Sequence, residues 1–540
     1  MESSTASAAR PLVGRLARST VLLMVAFGVA KAISLAQVFI IANVFGLSAE
    51  WDAFVTANSI PELLVVLIGG GALGYAFIPV FSGLLAQGQR EDAWKLASHV
   101  MNSIFTVTAA LSLIAFLIAP WLISTVVAPG FGPEQVAQTA SLMRILLIST
   151  LIFSVSGIFQ GILHSHNHFL LPALAPIMLD VGILFGVVFL VGPLGVYGIA
   201  WGAVIGAAMH FGIQVPGLIR YRMRWWPEWG WRDPRLRQVI VLMIPRLLGL
   251  AVATFNLYLI PNNIASRLGE GAIGAFNWGW RLMQIPETLI GSAMGFVIFP
   301  TLAALSALGD LDGKRRAMSG ALRYILAATV PAAFGLILLG RPLIGLLERG
   351  AFDAGASAMV YSTLQFFALG LIVHSALEVV ARSFYADKDT MTPLFAALLA
   401  ATINVVLSLI FTGLIGVGGL ALSNSLAVAV EVGVLLFILR RRWGDVGARA
   451  EVATLARALA AGLAMTAAIL ALDALLHSWG LDDTGLVRAI VRLAILLAAG
   501  GVAYVLAGLL FGMVEIREAW VLLRQRRRAD HGEGLAPAGD

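Results

Sequence analysis

The residues of this chain that could do chemistry inside a membrane are concentrated in the stretch 277–303. The stretch is apolar enough to lie in a bilayer, yet it carries Arg281, Glu287 and two prolines, Pro286 and Pro300. A charged side chain at mid-membrane costs roughly 2.5 to 3.5 kcal/mol on insertion scales, so it usually faces a cavity or a partner. A proline removes a helix hydrogen bond, which a spanning segment tolerates where protein or water pairs the freed carbonyl. The pattern therefore predicts a kinked helix that lines a polar cavity, with Arg281 pointing inward.

A second segment of the same kind lies nearer the N-terminus. Residues 60–79 (IPELLVVLIGGGALGYAFIP) resemble residues 285–300 (IPETLIGSAMGFVIFP), and the first copy is four residues longer. Three matched pairs share one offset of 221 residues: Pro79 and Pro300, Pro172 and Pro393, and Gly195 and Gly416. One register at three places indicates two homologous halves. Interrupted helices at corresponding positions of two halves are typical of the binding site of a secondary transporter.

The composition defines the class of protein. Of 540 residues, 59% are hydrophobic and 12% are charged, which indicates an all-α polytopic membrane protein. At about 20 residues per span, the chain predicts about 14 transmembrane helices, formed by two six-helix halves and two extra C-terminal helices. The absence of cysteine excludes disulfides, thiolate metal sites and thiol nucleophiles.

The positive charges predict the topology. With the N-terminus inside, the cytoplasmic segments hold 26 of the 36 Lys and Arg residues, the opposite loops hold four and the spans hold six. This asymmetry predicts that both termini are cytoplasmic. The predicted organisation is an N-terminal lobe (1–219), a linker (220–237), a C-terminal lobe (238–442), two additional helices (443–516) and a basic tail (517–540).

The linker between the lobes is rich in tryptophan and arginine. Its tryptophans suit a helix lying in the membrane interface, and its arginines suit an anchor near anionic lipid. Basic clusters of this kind mark the cytoplasmic side of a membrane protein, so nucleic-acid binding by the linker is not expected.

No motif of the chain predicts catalysis. Residues 69–74 spell G-x-G-x-x-G, but inside a span this pattern favours small-residue packing or a hinge over a dinucleotide site. Three alternating histidines, His164, His166 and His168, lack a nearby carboxylate or cysteine and are interpreted as a polar turn. We therefore expect no catalytic residue, cofactor or metal site. The informative charges are those inside spans: the cations Lys31, Arg144, Arg246 and Arg281 as anion ligands, and Glu431 as an ion-coupling candidate.

Several stretches together resemble the lipid II flippase family (MurJ/MviN) of the multidrug/oligosaccharidyl-lipid/polysaccharide exporter superfamily. They are the residues 44–54 (VFGLSAEWDAF), 60–81, 166–180, 280–303 and 382–394 (RSFYADKDTMTPL). The resemblance implies fourteen helices in two halves and a substrate with a pyrophosphate group. It places Arg281 at the family's eighth-helix arginine and Asp52 at the acidic residue of its first loop.

The chain departs from the family pattern at other positions of the cavity. Where the first helix usually carries two arginines, this chain has Lys31 and Gln37. The second-helix arginines are replaced by Val65 and Val66, and the preceding asparagine by Glu62. A sodium site proposed for some members needs carboxylates on the seventh and eleventh helices, and those positions hold the ion-coupling candidates Asn256 and Asn404.

The residues favour transport of an amphiphile. A lipid-linked pyrophosphate needs a cavity in which cations replace water, because an ionised group is very costly in hydrocarbon. We expect a flippase that carries an undecaprenyl-linked peptidoglycan precursor to the outer leaflet of the bacterial inner membrane by alternating access, with cell-wall synthesis proteins as possible partners. Two alternatives stay open: an exporter of another lipid-linked glycan or small amphiphile, which for a cation would show an acidic cavity, and a transport-inactive membrane scaffold.

Overall fold

The chain is mostly helical in the part that the structure describes. The structure is a computed structural model that describes residues 33–34, 36–68, 71–166, 168–444, 447–479 and 485–518, and no strand occurs in these ranges. The chain divides into two compact units, of which the first comprises 1–274 and 349–353 and the second comprises 275–348 and 354–540. The all-α fold class is confirmed.

The first unit contains twelve described helices, several of them short. They are α1 Ala36–Phe45, α2 Ala49–Ile68, α3 Gly71–Ala86, α4 Arg90–Leu117, α5 Ala119–Leu122, α6 Pro133–Ser165, α7 Leu170–Phe185, α8 Val191–Leu194, α9 Tyr197–Gly212, α10 Val215–Arg220, α11 Pro234–Thr254 and α12 Ile260–Ala265. Short π-helical turns follow α5, α7 and α11. A cluster of aromatic and aliphatic side chains, including Phe77, Phe81 and Ile158, forms a core among α3, α4 and α6.

The second unit holds the remaining helices, except that the first three residues of α13 group with the first unit. They are α13 Ala272–Glu287, α14 Ala293–Ala307, α15 Leu311–Gly345, α16 Ala354–Ala386, α17 Met391–Ile415, α18 Gly418–Trp443, α19 Ala448–Ser478 and α20 Leu486–Leu510. One core cluster joins α14, α15, α16 and α18. A separate cluster packs α19 and α20 against α15, which attaches the two additional helices to the repeat.

The repeat inferred from sequence is confirmed at the level of the backbone. The helices α4, α6, α7 and α9 begin 221 residues before α15, α16, α17 and α18, respectively. Gly195 and Gly416 end corresponding helices with nearly the same dihedrals, φ 57° and ψ −143° against φ 61° and ψ −142°. Because a positive φ with this ψ is open to glycine and strained for other residues, the match requires glycine at both positions.

The predicted number of spans is not confirmed. Among the described residues, eleven helices are long and apolar enough to cross a membrane, and two shorter apolar segments are Ala36–Phe45 and, within α3, Ala76–Ala86. The structure therefore supports a polytopic helical protein without fixing a total of fourteen.

The linker differs from the interface helix that its tryptophans predicted. Residues 221–233 contain turns and extended backbone but no helix, and they run along α4. Asn102 of α4 donates hydrogen bonds to the carbonyl oxygens of Trp226 and Glu228, both at 2.7 Å. These bonds satisfy backbone groups that a helix would have paired internally, which explains why the segment is stable in an extended form.

Corresponding loops of the two halves are held by different chemistry. In the first half, the His166 ring stacks on Tyr221 at 4.2 Å between centroids and on Trp94 at 5.8 Å. In the second half, the equivalent position is Asp387, which accepts from Lys314. Asp387 also accepts from the Ser306 hydroxyl at 2.5 Å. The same junction is thus aromatic in one half and ionic in the other.

Candidate substrate site

Arg281 lies on α13 with its guanidinium only partly used by the protein. Its side chain is exposed, and its Nε donates to Asn277 Oδ1 at 2.9 Å, one helical turn earlier. No other described residue accepts from its two terminal nitrogens. The Asn277 bond fixes the direction of the guanidinium and leaves one edge of it available for a bidentate contact with an anion.

The helix that carries Arg281 is packed tightly against α16. Trp280 lies edge-on to Phe367 and to His374, with centroid distances of 5.3 Å and 5.2 Å. A Cβ at Gly279 would lie 2.1 Å from the Thr363 Oγ1, so only glycine permits this approach. This close contact fixes the position of α13, the helix of Arg281, along α16.

The predicted interruption after Arg281 takes the form of a π-helical turn. Pro286 lies in the last turn of α13, and Thr288–Ser292 forms the π-helical turn that leads into α14. Such turns are rare in proteins overall, and those that occur frequently lie at functional sites. Glu287 accepts from the Ser292 hydroxyl at 3.3 Å, which gives this carboxylate a local partner at the interruption.

A second arginine, which the sequence did not single out as a ligand, lies beside this interruption. Arg382 of α16 forms an ion pair with Glu378 and donates to the Glu378 carbonyl oxygen at 2.6 Å. Its guanidinium lies 4.9 Å from the Phe296 ring centroid. The i, i+4 spacing of glutamate and arginine on one helix was the available sequence signal. Because its charge is already paired, Arg382 is a weaker candidate ligand than Arg281.

Asp52 has its two carboxylate oxygens occupied by backbone amides. Oδ2 accepts from the Gly271 N–H and Oδ1 from the Gly274 N–H, both at 2.7 Å, and the side chain is 1% exposed. These amides belong to the start of α13, so Asp52 caps the helix that carries Arg281. Glu270 in turn accepts from the Ala49 N–H at 2.8 Å, at the start of α2. The two helices thus cap one another.

The other predicted ligands are distributed over several elements. Lys31 lies outside the described residues, as does the side chain of Arg246 on α11. Gln37 is buried on α1, and Glu62 is half-buried on α2 with a polar partner. Arg144 of α6 donates from Nε to the Phe116 carbonyl oxygen at 3.1 Å, and its guanidinium lies 5.1 Å from the centroid of that ring, so its role as an anion ligand stays a prediction.

The ion-coupling candidates are polar groups in largely buried positions. Asn256 is half-buried in the π-helical turn Phe255–Leu259. Asn404 of α17 is 1% exposed and accepts from the Ser408 hydroxyl at 3.3 Å. Glu431 of α18 is also buried, and in the described part of the chain no residue donates a hydrogen bond to it. An intramembrane carboxylate with no donor suits a group that carries a proton or meets a cation.

Comparison with known proteins agrees with the fold and the sequence pattern. A family model described as "Lipid II flippase MurJ" matches residues 41–489. The lipid II flippase MurJ of Burkholderia cenocepacia is 31% identical over 421 residues, covering 76% of this chain and 81% of that protein. The probable lipid II flippase MurJ of Vibrio cholerae is 29% identical over 509 residues, covering 90% of this chain and 96% of its own.

Solved structures show the same architecture. A lipid II flippase MurJ in an inward closed conformation superposes with a TM-score of 0.75 at 23% identity, covering 92% of this chain and 99% of that one. An inward-facing MATE family multidrug resistance transporter of the MOP superfamily gives a TM-score of 0.66 at 15% identity, covering 77% and 95%. At these identities the structures establish the fold alone. The family match over most of the chain and the Burkholderia relative go further: this chain belongs to the lipid II flippase MurJ family.

Proposed function

We propose that this protein moves lipid II, the lipid-linked peptidoglycan precursor, from the cytoplasmic to the outer leaflet. The observation that carries the proposal is Arg281, an exposed guanidinium with a free edge on a helix inside the family match. Planar guanidinium groups bind phosphate oxygens in a bidentate manner, so Arg281 suits the pyrophosphate of such a lipid.

The remaining ligands divide into direct contacts and supports. Lys31 is the proposed second cation, since it lies on the first predicted span. Asp52 acts indirectly, because it fixes the start of α13, the helix that carries Arg281. Gln37, Glu62 and Arg246 remain proposed lining residues.

The polyprenyl tail needs an apolar path of its own. The additional helices α19 and α20 expose apolar side chains, among them Leu463 at 64% and Val502 at 60%. We infer that this helix pair guides the tail while the head group crosses with the alternating halves.

The energy for transport has to come from a gradient or from the membrane potential, which is worth about 2.3 kcal/mol per charge per 100 mV. Glu431 is the proposed coupling group, because a buried carboxylate changes its charge when it binds a proton or meets a cation. Asn256 and Asn404 are neutral and supply only oxygen ligands. The inner membrane location, cytoplasmic termini and contacts with other cell-wall synthesis proteins belong to the same proposal.

Complementation tests the function directly. A bacterial strain whose own lipid II flippase can be depleted should grow when this chain is expressed and lyse when it is not. Normal membrane abundance without rescue would contradict the proposal and favour a scaffold or a different amphiphilic substrate.

A further inference from the structure

The linker 221–233 presents aromatic rings in fixed positions on the surface of the first unit. Trp225 donates from Nε1 to Asn102 Oδ1 at 2.9 Å, and Trp229 donates from Nε1 to Thr106 Oγ1 at 2.8 Å. Their rings are nevertheless 56% and 47% exposed. With the indole N–H groups paired, the exposed part of each ring is apolar, and such rings favour the boundary between lipid tails and head groups.

The linker backbone is held as firmly as these two rings. The Ser98 hydroxyl of α4 accepts from the Trp226 N–H at 3.1 Å, and the Ser103 hydroxyl donates to the Trp229 carbonyl oxygen at 3.3 Å. A cluster of backbone and side-chain bonds along α4 therefore fixes the linker. The surface it presents is already formed before any ligand arrives, which lowers the entropic cost of binding.

Arginines without carboxylate partners lie beside these rings. Arg220, Arg222 and Arg224 are all exposed, and among the described residues none of them forms an ion pair. Arg235, at the start of α11, does pair with Asp92, at 3.1 Å. The unpaired arginines thus form a patch of uncompensated positive charge that suits phosphate.

An apolar groove of about 290 Å³ is lined in part by α4, the helix that holds the linker. Its wall includes Phe105, the chain neighbour of the Thr106 that holds Trp229, and the Phe105 ring is 44% exposed. The groove is lined entirely by apolar side chains from α4, α6 and α9: Phe105, Leu151, Ile152, Val155, Ala208 and Phe211. An apolar groove on the helix that fixes these rings, together with arginines that form no ion pair among the described residues, suits an amphiphile with an anionic head group.

We propose that this surface is a binding site for an anionic phospholipid of the bilayer. One acyl chain lies in the groove, the tryptophan rings contact the region near the glycerol, and Arg222 and Arg224 bind the phosphate. Neither the charge nor the groove alone is selective, because zwitterionic lipids also fill grooves and any anion meets the arginines. The combination selects an anionic lipid.

The test measures which lipid stays bound to the full-length protein. The protein is reconstituted in nanodiscs of mixed phosphatidylcholine and phosphatidylglycerol and then extracted from them, and mass spectrometry determines the ratio of the two lipids that remain bound. We expect several-fold enrichment of phosphatidylglycerol over its share in the nanodisc mixture. Two variants should each remove that enrichment: R222Q/R224Q, which deletes the charges, and Ala208→Phe, which fills the groove.

Matched controls separate a specific site from general effects. R440Q/R441Q removes two exposed arginines at the corresponding end of the second half, and Ala110→Phe adds a ring at an exposed position of α4 outside the groove. Both controls should keep the enrichment. Equal enrichment in R222Q/R224Q, or loss in R440Q/R441Q as well, would overturn the proposal. Because no lipid II is present, the result is independent of the proposed transport function.

Discussion

The proposed role of the Arg281 guanidinium can be tested by substitution. Arg281→Ala should abolish complementation, because it removes the charge and the bidentate fork. Arg281→Lys should retain part of it, because an ammonium keeps the charge and loses the planar geometry. Growth of the depletion strain, scored at matched protein abundance, measures both effects.

The control for this change is an arginine away from the proposed site. Arg349 is exposed in a loop between helices, and Arg349→Ala should support normal growth. Lys31→Ala should weaken activity on its own, and Lys31→Arg should be tolerated. Normal growth with Arg281→Ala and Lys31→Ala combined would rule out a pyrophosphate cavity of this design.

Asp52 is expected to act through stability and helix position rather than through direct contact. Asp52→Ala removes a cap of α13, which should cost about 0.5 to 2 kcal/mol and lower the thermal unfolding temperature in detergent. Transport should fall with it, because the start of Arg281's helix is released.

Asp310 offers a matched comparison for Asp52. It caps α15 through Oδ1, which accepts from the Gly313 N–H at 2.7 Å. Asp310→Ala should lower stability by a similar amount and leave transport nearly unchanged. If Asp52→Ala abolished transport at full thermal stability, a direct role at the substrate would replace the capping role.

The sequence identified Arg281 because a charged side chain in a membrane span is costly in free energy, and the structure shows this side chain exposed on the expected helix. The role of Asp52 could not be predicted in the same way. Its partners are backbone amides 219 and 222 residues away, and backbone groups leave no sequence signal. The partner of Arg144 was equally hidden from sequence, since its Nε donates to the backbone carbonyl oxygen of Phe116.

At the scale of elements, the stability of the loop before α17 depends on the charge of Asp389. Burial alone would raise the pKa of Asp389, but hydrogen bonds from Thr392 and from the Arg442 guanidinium outweigh it and lower the pKa to about 2. A depressed carboxylate pKa contributes stability above the ordinary value of 3.8, and that contribution is lost as the pH falls toward 2.

This sign gives a prediction for acid unfolding. Between about pH 4 and pH 2, the thermal unfolding temperature of the wild-type protein in detergent should fall more steeply than that of Asp389→Asn, which cannot lose this charge. At neutral pH the variant should be the less stable of the two. Parallel pH profiles would show that the Arg442 contact contributes nothing.

The element boundaries were predictable to the extent that glycine and proline mark them. The offset of 221 residues, found from three residue pairs, also relates the starts of four helix pairs. The linker was predictable only in location: its tryptophans suggested a helix, whereas tertiary bonds from Ser98 and Asn102 hold it extended. Such distant partners override local pattern.

For the whole molecule, the charge asymmetry predicts sidedness, and the cysteine-free chain makes this easy to test. Trp231 is 64% exposed in the linker, so Trp231→Cys should react with an impermeant maleimide only after the inner membrane is opened. Gly132→Cys, at a position with open space around it, should react in spheroplasts with that membrane intact. Labelling of residue 231 in intact spheroplasts would contradict the predicted topology.

The different junctions of the two halves have a consequence for heating. The penalty for burying charge falls as temperature rises, whereas apolar contacts gain little further strength. The Lys314–Asp387 junction should therefore outlast the His166 ring stack as the protein is warmed. The two copies of one ancestral fold would then melt in a set order, first half before second, and amide exchange in the loops at 166 and 387 would record that order.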